Sequence, residues 1–331
     1  MERSKNLISQ SLESLKNNMK RSGDPLGFKR PYWTDWTEGL SVPKEGKTQF
    51  LTARMYQMLP FVIKTTEMAY MARPFLSRKG LGKVMDKGNR FLGERVIRYM
   101  ARDCDDMRKR GVNVLRGIYL TLRSAGVNPG YLYESEPYSG ILLHDLGLEE
   151  ACVPHMKKLD DLFKSRGVEE LITVDPHTTR MFKEVFPRYI DSFQVKVRHY
   201  LEVLAEKAEQ MVFDKKKELP QKMVIHDSCV MTRTLGIFEQ ARVIADKADI
   251  TLIEPENTGF DTACCGGPVE YAFPEISKDI SGRRVAELAP ICRDILVMCP
   301  ICLINLAKHE LAESVRVWDM GEILNGFFDP L

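Results

Sequence analysis

Three short apolar runs, at 223–226, 250–253 and 295–298, alternate with helix-like stretches at 236–245, 281–289 and 302–311. That rhythm demands a parallel sheet covered by helices. On the loops of this frame sit Cys229, the adjacent pair Cys264 and Cys265, and Cys299 and Cys302 in the tetrapeptide CPIC. Ligands of an open α/β sheet bind beyond the carboxyl ends of its strands. Three separate excursions of the chain therefore deliver five thiolates to one place. With 331 residues, 44% of them hydrophobic, the chain buries its own core and needs no disulfide staples. Clustered cysteines in such a chain read as metal-binding or redox chemistry.

Five thiolates exceed the four of a tetrahedral zinc site and the four of an ordinary cubane cluster. Neighbours such as Cys264 and Cys265 diverge along an extended backbone, which suits a cofactor with several irons better than a single ion. Gly266 and Gly267 let the backbone turn tightly and bring amide hydrogens close to inorganic sulfide. A CxxC at a helix start turns both sulfurs to one site, where the helix N-terminus stabilises thiolate charge. The alternative is a structural zinc site using four of the five. A dithiol of Cys299 and Cys302 alone leaves the adjacent pair unexplained. Cys292 is expected as a buried small hydrophobe rather than a ligand, and Cys104 and Cys152 stand apart as non-ligands.

Charge narrows the function classes. Lys plus Arg number 48 and Asp plus Glu 46, a formal net charge of +2, without the basic excess of a nucleic-acid binder. No apolar run approaches the ~20 residues that cross a bilayer, and the first residues are polar with no secretory core. The expected location is the cytoplasm, or the periphery of a membrane complex. With no GxGxxG or Walker A motif, no nucleotide or nicotinamide site is expected.

Residues 1–45 read as an irregular or partly helical arm. Its Phe28, Tyr32, Trp33 and Trp36 either anchor a partner or fold back over the protein itself. Helical spacing covers 51–73, with Pro60 bending or restarting the helix. Basic amphipathic helices are expected over 78–112, and a helix over 111–126 ends at a glycine cap. Further helices are expected at 157–164, 179–186 and 200–217, and a strand at 171–174. The charged string 214–218 and Pro220 mark a boundary between two lobes.

Those lobes look alike. Setting Tyr138 and Ser139 against Cys264 and Cys265 puts Gly140 on Gly266, and Asp175-Pro176-His177-Thr178 then falls near Cys299-Pro300-Ile301-Cys302. Several features in the same order read as duplication and divergence.

The order Cys229, Cys264-Cys265-Gly266, Cys299-Pro300-Ile301-Cys302 resembles the cysteine-rich CCG domain. That domain occurs, usually twice, in the catalytic B and D subunits of heterodisulfide reductases, and in iron–sulfur subunits of lactate and glycolate oxidation systems and of dissimilatory sulfur complexes. The resemblance covers roughly residues 46–311. It implies a duplicated CCG-type α/β fold of two related lobes, each with a small parallel sheet flanked by helices. An N-terminal arm would occupy 1–45, a degenerate cysteine-poor lobe 46–210, and a lobe with the full cysteine set 222–331. The resemblance also implies one non-cubane [4Fe–4S] cluster on Cys229, Cys264, Cys265, Cys299 and Cys302. The implied function is electron transfer coupled to disulfide, thiol or persulfide chemistry on a small substrate. The implied partners are a ferredoxin-like iron–sulfur subunit and a flavoprotein or membrane redox subunit. Two alternatives stay open: a non-catalytic electron relay in a lactate, glycolate or quinone-linked oxidoreductase, and a zinc-stabilised assembly subunit.

The first lobe departs from the family pattern. Arg54, Tyr138, Ser139, Asp175 and Thr178 take the ligand places there, and none supplies a thiolate. That lobe is expected to hold no iron. Arg54, Tyr138 and His177 either wall a site for an anionic or thiol-bearing substrate or pack inertly. His144 and His226 adjoin the sheet-edge loops, as donors to cluster sulfur or as ordinary core and surface residues.

Overall fold

The computed structural model describes residues 2–72, 94–213, 217–270 and 273–329. The first half runs α1 (Glu2–Ser22), β1 (Thr48–Leu51), α2 (Leu59–Ala72), α3 (Asp105–Ser124), α4 (Ile141–Asp145), α5 (Glu149–Ser165), β2 (Glu170–Thr173), α6 (Pro176–Arg180), β3 (Lys196–His199) and α7 (Tyr200–Glu206). The second runs β4 (Lys222–Ile225), α8 (Cys229–Arg233), α9 (Glu239–Lys247), β5 (Thr251–Ile253), α10 (Pro274–Leu288), β6 (Asp294–Val297), α11 (Pro300–Ala307), β7 (Arg316–Asp319) and α12 (Met320–Asn325).

The strands form two small sheets, ordered β1-β2-β3 and β5-β4-β6-β7, with every neighbouring pair parallel. This is the expected α/β architecture, with helices flanking each sheet. In order of pairing, β1, β2 and β3 take the places of β4, β6 and β7. Among the described residues β5 has no counterpart strand, but Gln49 in β1 makes one parallel bridge to Gly130 on the edge that β2 leaves free. β2, β4 and β6 (ELIT, KMVI, DILV) are nearly continuous buried runs, as strands covered on both faces must be.

β1, β3 and β7 were not expected. β3 (KVRH) and β7 (RVWD) lie at sheet edges, where only alternate residues are buried, so neither shows an apolar run. Helix ends also moved. Pro60 stands in the first turn of α2, restarting the chain as a helix rather than bending one. The helix expected over 200–217 stops at Glu206, because the chain turns to bury Ala208 and Met211 in the core. The helix expected from Cys302 begins at Pro300 and ends at Ala307. The glycine cap after α3 is present, with Gly126 at φ 80°. Of the basic stretch expected as helix over 78–112, residues 78–93 lie outside the described residues, as do Asp214, Lys215 and Lys216 of the charged string.

The N-terminal segment is an integral layer. α1 is one helix that packs on α5, and its Leu15 and Met19 join Met156, Leu159 and Phe163 of α5 in one buried cluster. Trp36 is fully buried among the rings of Phe50, Tyr119 and Tyr131. The Trp33 indole donates to the Tyr133 carbonyl at 2.7 Å. Phe28, Trp33 and Trp36 therefore face the protein's own interior, and the partner-anchor alternative is replaced by self-packing. The two halves share a core as well. α3 crosses α12 at Gly117, where a Cβ would meet the Gly321 carbonyl oxygen at 2.0 Å. Only glycine permits that approach. No helix among the described residues is long and apolar enough to cross a membrane.

Candidate metal centre

The loop after β4, His226-Asp227-Ser228, leads straight into Cys229 at the start of α8. Asp227 holds it rigid. Its carboxylate accepts two hydrogen bonds from Arg242 at 2.9 and 2.8 Å, one from Thr258 Oγ1 at 3.0 Å and one from the Gly259 amide at 2.8 Å. Burial resists its charge, yet the Arg242 guanidinium holds the carboxyl below its usual range. Thr262 Oγ1 adds a bond to the Asp227 carbonyl at 3.0 Å. The segment that carries Cys264 is thus bolted to the loop that carries Cys229.

The CCGG turn is shaped by its neighbours. Gly266 has φ 79°, and a Cβ there would meet the Ser277 carbonyl oxygen at 2.8 Å. At Gly267 a Cβ would strike Ile301 of α11 at 2.1 Å. The turn therefore lies flush on the first turn of α11. Asn305, buried in that helix, donates to the Cys265 carbonyl and to Ser277 Oγ. The Gly266 amide donates to Cys264 Sγ at 3.3 Å. Cys299 caps α11 in extended conformation with Pro300 as the first helical residue, which turns Cys302 toward the CC pair. The Cys302 and Cys265 sulfurs are 3.3 Å apart.

The Cys302 and Cys265 sulfurs are in hydrogen-bond contact, and Cys229, Cys264 and Cys299 lie near enough to shift the ionisation of their neighbours in the group. Charge on one displaces charge on the next. Hydrogen bonds from Cys229 and Cys265 push Cys264 down to about 2. Burial opposes charge on Cys299, but hydrogen bonds from Cys302 and His177 outweigh it and hold this thiol low. Cys229 is pushed up by its bond to Cys264, Cys265 likewise, and Cys302 by its bonds to Cys265 and Cys299. Without added positive charge the group cannot ionise fully. A polycation bound by soft donors fits this deficit. A smaller set, His226 with Cys265 and Cys302, brings three ligand atoms within 4.8 Å of one another and is able to hold a single metal ion.

The remaining cysteines lie apart. Cys152 is buried beside Met156 and the Gly140 carbonyl. Cys292 is half-buried and donates to the Lys222 carbonyl at 3.4 Å. Of the first-half residues singled out in the sequence, His177 lies near enough to feel the charge of Cys299, with its Nδ1 4.0 Å from Asp145. Burial disfavours its charged form, and the adjacent Cys299 thiolate overrides this and raises it. Arg54 is engaged within its own half. Its guanidinium meets Asp24 at 2.8 Å, donates to the Glu136 carbonyl and stacks on Trp33 at 3.5 Å. Tyr138 is buried, its hydroxyl accepting from the Leu142 amide and its carbonyl meeting His155. Asp175 accepts from the His177 and Thr178 amides, each at 2.9 Å. His144 stands 6.4 Å from the Tyr189 ring, on α4. Sequence reasoning missed Arg284. It is 1% exposed and donates to His226 Nδ1 at 3.1 Å. A lone arginine inside α10 carries no pattern that would mark it.

Residues 223–307 match the family model of the cysteine-rich domain, CCG. The EtfAB:quinone oxidoreductase of Syntrophomonas wolfei is 30% identical over 234 residues, which cover 66% of this chain and 32% of that protein. The Bacillus subtilis protein named "Probable iron-sulfur-binding oxidoreductase FadF" is 27% identical over 211 residues, 61% of this chain and 30% of that one. The D subunit of the dihydromethanophenazine:CoB--CoM heterodisulfide reductase of Methanosarcina mazei is 25% identical over 171 residues, 50% of this chain and 42% of that one. The chain spans about a third of the length of the first two relatives and less than half of the third. It carries a cysteine-rich domain of CCG type, related at low identity to heterodisulfide reductase proteins.

Proposed function

We propose that this chain is an electron-relay subunit of a quinone-linked oxidoreductase complex. In this reading one iron–sulfur cluster, a non-cubane [4Fe–4S] centre, is held by Cys229, Cys264, Cys265, Cys299 and Cys302. The observation that carries it is the contact of the Cys265 and Cys302 sulfurs at 3.3 Å, with the segment that bears Cys264 tied to the loop that leads into Cys229 and all five thiols shifting one another's ionisation. Such a cluster supplies single-electron transfer at a potential set by its surroundings. The chain's own residues supply the rest. Asp227 with Arg242, and Asn305 with Ser277, fix the loops that present the thiolates. His177, whose charged form the nearby Cys299 favours, brings positive charge toward that sulfur.

A relay needs one cluster. A reaction in which two clusters each take one sulfur of a split disulfide needs two, and Tyr138, Ser139, Asp175 and Thr178 hold the second set of ligand places. The likeness to the EtfAB:quinone oxidoreductase also favours a quinone-linked role. A second reading keeps disulfide or persulfide chemistry at the single cluster. His177 beside Cys299 favours it, as a donor to a bound thiolate.

Purification without oxygen, followed by iron and acid-labile sulfide analysis, tests the cluster. Photoreduced flavin should then reduce it, and a water-soluble quinone should reoxidise it. A colourless protein with one zinc per chain would defeat the relay. A cluster reoxidised by a small disulfide but not by quinone would move the assignment to the second reading.

A further inference from the structure

His226 directly follows β4. A nitrogen of its ring is within 4.8 Å of the Cys265 and Cys302 sulfurs. Nδ1 is occupied by the hydrogen bond from Arg284 Nε at 3.1 Å. Nε2 is buried and has no hydrogen-bond partner among the described residues. Arg284 is fixed in turn, donating through Nη2 to the Asn257 carbonyl at 3.0 Å and pairing with Glu287 at 2.8 Å.

These contacts decide where the ring proton is. A guanidinium has five donors and no acceptor, so Nδ1 must offer it a lone pair. A neutral imidazole carries one N–H, which is then on Nε2. A second ring proton would set a cation against buried Arg284. A nitrogen that carries a proton has no lone pair for a metal, but it is a good donor to thiolate or sulfide.

We infer that Arg284 fixes the tautomer of His226, so that its Nε2–H is a hydrogen-bond donor to the sulfur group and His226 is not a metal ligand. Arg284 is then a positioning residue that acts through His226. The redox consequence rests on the cluster proposed above. A donor to sulfur stabilises the more negative, reduced state and raises its potential.

Two measurements test this. On the metal-free chain, long-range 15N–1H correlation of the histidine ring reads the tautomer. The unaltered protein should show the proton on Nε2 of His226, and Arg284→Met should let the proton shift to Nδ1. A ring with its proton on Nδ1 in the unaltered protein overturns the inference. On protein loaded with iron and sulfide, His226→Leu and His226→Gln are compared by iron content and by midpoint potential from an electron-paramagnetic-resonance titration. Both should keep their iron. At fixed potential, the reduced-to-oxidised ratio in His226→Leu should fall about tenfold, ~59 mV for a one-electron couple. His226→Gln retains a donor and should fall less. Iron loss in His226→Leu equal to that of Cys302→Ser would make His226 a ligand and end the proposal, and so would an unchanged potential. If the unaltered chain takes up no iron, the cluster reading fails, while the tautomer still decides the role of Arg284.

Discussion

After β2 the chain reads Asp175-Pro176-His177-Thr178, and after β6 it reads Cys299-Pro300-Ile301-Cys302. Both tetrapeptides start a helix at the proline. Their cap residues are both extended, at φ −138°, ψ 154° for Asp175 and φ −146°, ψ 128° for Cys299. Gly140 and Gly266 are both left-handed, at φ 85° and 79°. The backbone devices are therefore shared while the chemistry differs. In the first half the Asp175 carboxylate satisfies its own helix N-terminus. In the second, thiolates crowd together and remain short of positive charge. Helix starts and glycine turns set the backbone at both places, and in the second half they carry the cysteines.

The largest expected effect breaks that comparison at the ligands. Cys264→Ser and Cys299→Ser should lose or grossly alter the cluster spectrum, because a hydroxyl is a much harder donor than thiolate. Asp175→Asn and Tyr138→Phe, at the matching places, should keep full iron content, as should Cys152→Ser. Iron and sulfide analysis of the five proteins, side by side, is sufficient. Asp175→Asn losing as much iron as Cys299→Ser would mean that the first half contributes to the centre after all.

Much of the centre was readable before the fold was known. KMVI and DILV announce buried strands because both faces are covered, and CPIC announces a helix start because proline suits the first helical turn. The edge strands β3 and β7 were silent for the opposite reason, since half of each faces outward. A longer window would have found them. Residues 197–204, VRHYLEVL, and 317–324, VWDMGEIL, share a valine, a capping residue, a glutamate three positions later and a leucine at the end. His199 with Glu202 and Asp319 with Glu322 form capping boxes in both. What no window reveals is pairing across the fold. Arg54 fitted either a wall facing the sulfurs or inert packing, and its partner Asp24, in the segment before β1, decides for packing. Arg284 was invisible because its meaning depends on His226, which comes from another strand's loop.

Arg54 and Arg242 extend the comparison, for each pairs with a buried aspartate and so fixes the loop after a leading strand, Arg54 from within that loop to Asp24 and Arg242 from α9 to Asp227 in the loop. Arg54 is the more enclosed of the two, and its own φ is 65°. Arg54→Met would leave Asp24 buried with no cation beside it. Removing one member of a buried pair typically costs ~3–5 kcal/mol. Urea unfolding of the metal-free protein should register that loss, while the midpoint potential of the loaded protein stays in place. A potential that shifts with little change in stability would return Arg54 to the sulfur site.

The smallest expected effect sharpens the comparison at the two capping boxes. Burial pushes His199 down to about 3, with Lys183 adding to it. Burial pushes Asp319 up to about 8, against hydrogen bonds from Gly321 and Tyr56 that favour its charge. Both caps are neutral at mid pH, but they act on stability in opposite directions. Asp319 binds its proton more tightly folded than unfolded. Its contribution is complete below the ordinary carboxyl range near 4 and is lost as pH rises through about 8. His199 binds its proton less tightly folded. Its contribution is complete above the ordinary imidazole range near 6.5 and is lost as pH falls through about 3. The two slopes oppose each other between roughly 4 and 6.5, and above that Asp319 acts alone. Each group contributes at most about 1.4 kcal/mol per pH unit. Asp319→Asn keeps a good cap and an acceptor for Tyr56. Relative to the unaltered protein, it should gain stability steadily from pH 4 to 8 and level off above. His199→Asn, measured the same way, should gain as pH falls from 6.5 to 4. Urea midpoints of the metal-free proteins across this range read both differences. Parallel curves for Asp319→Asn and the unaltered protein would mean that Asp319 is charged in the fold, and that the two caps differ in electrostatics as well as in sequence.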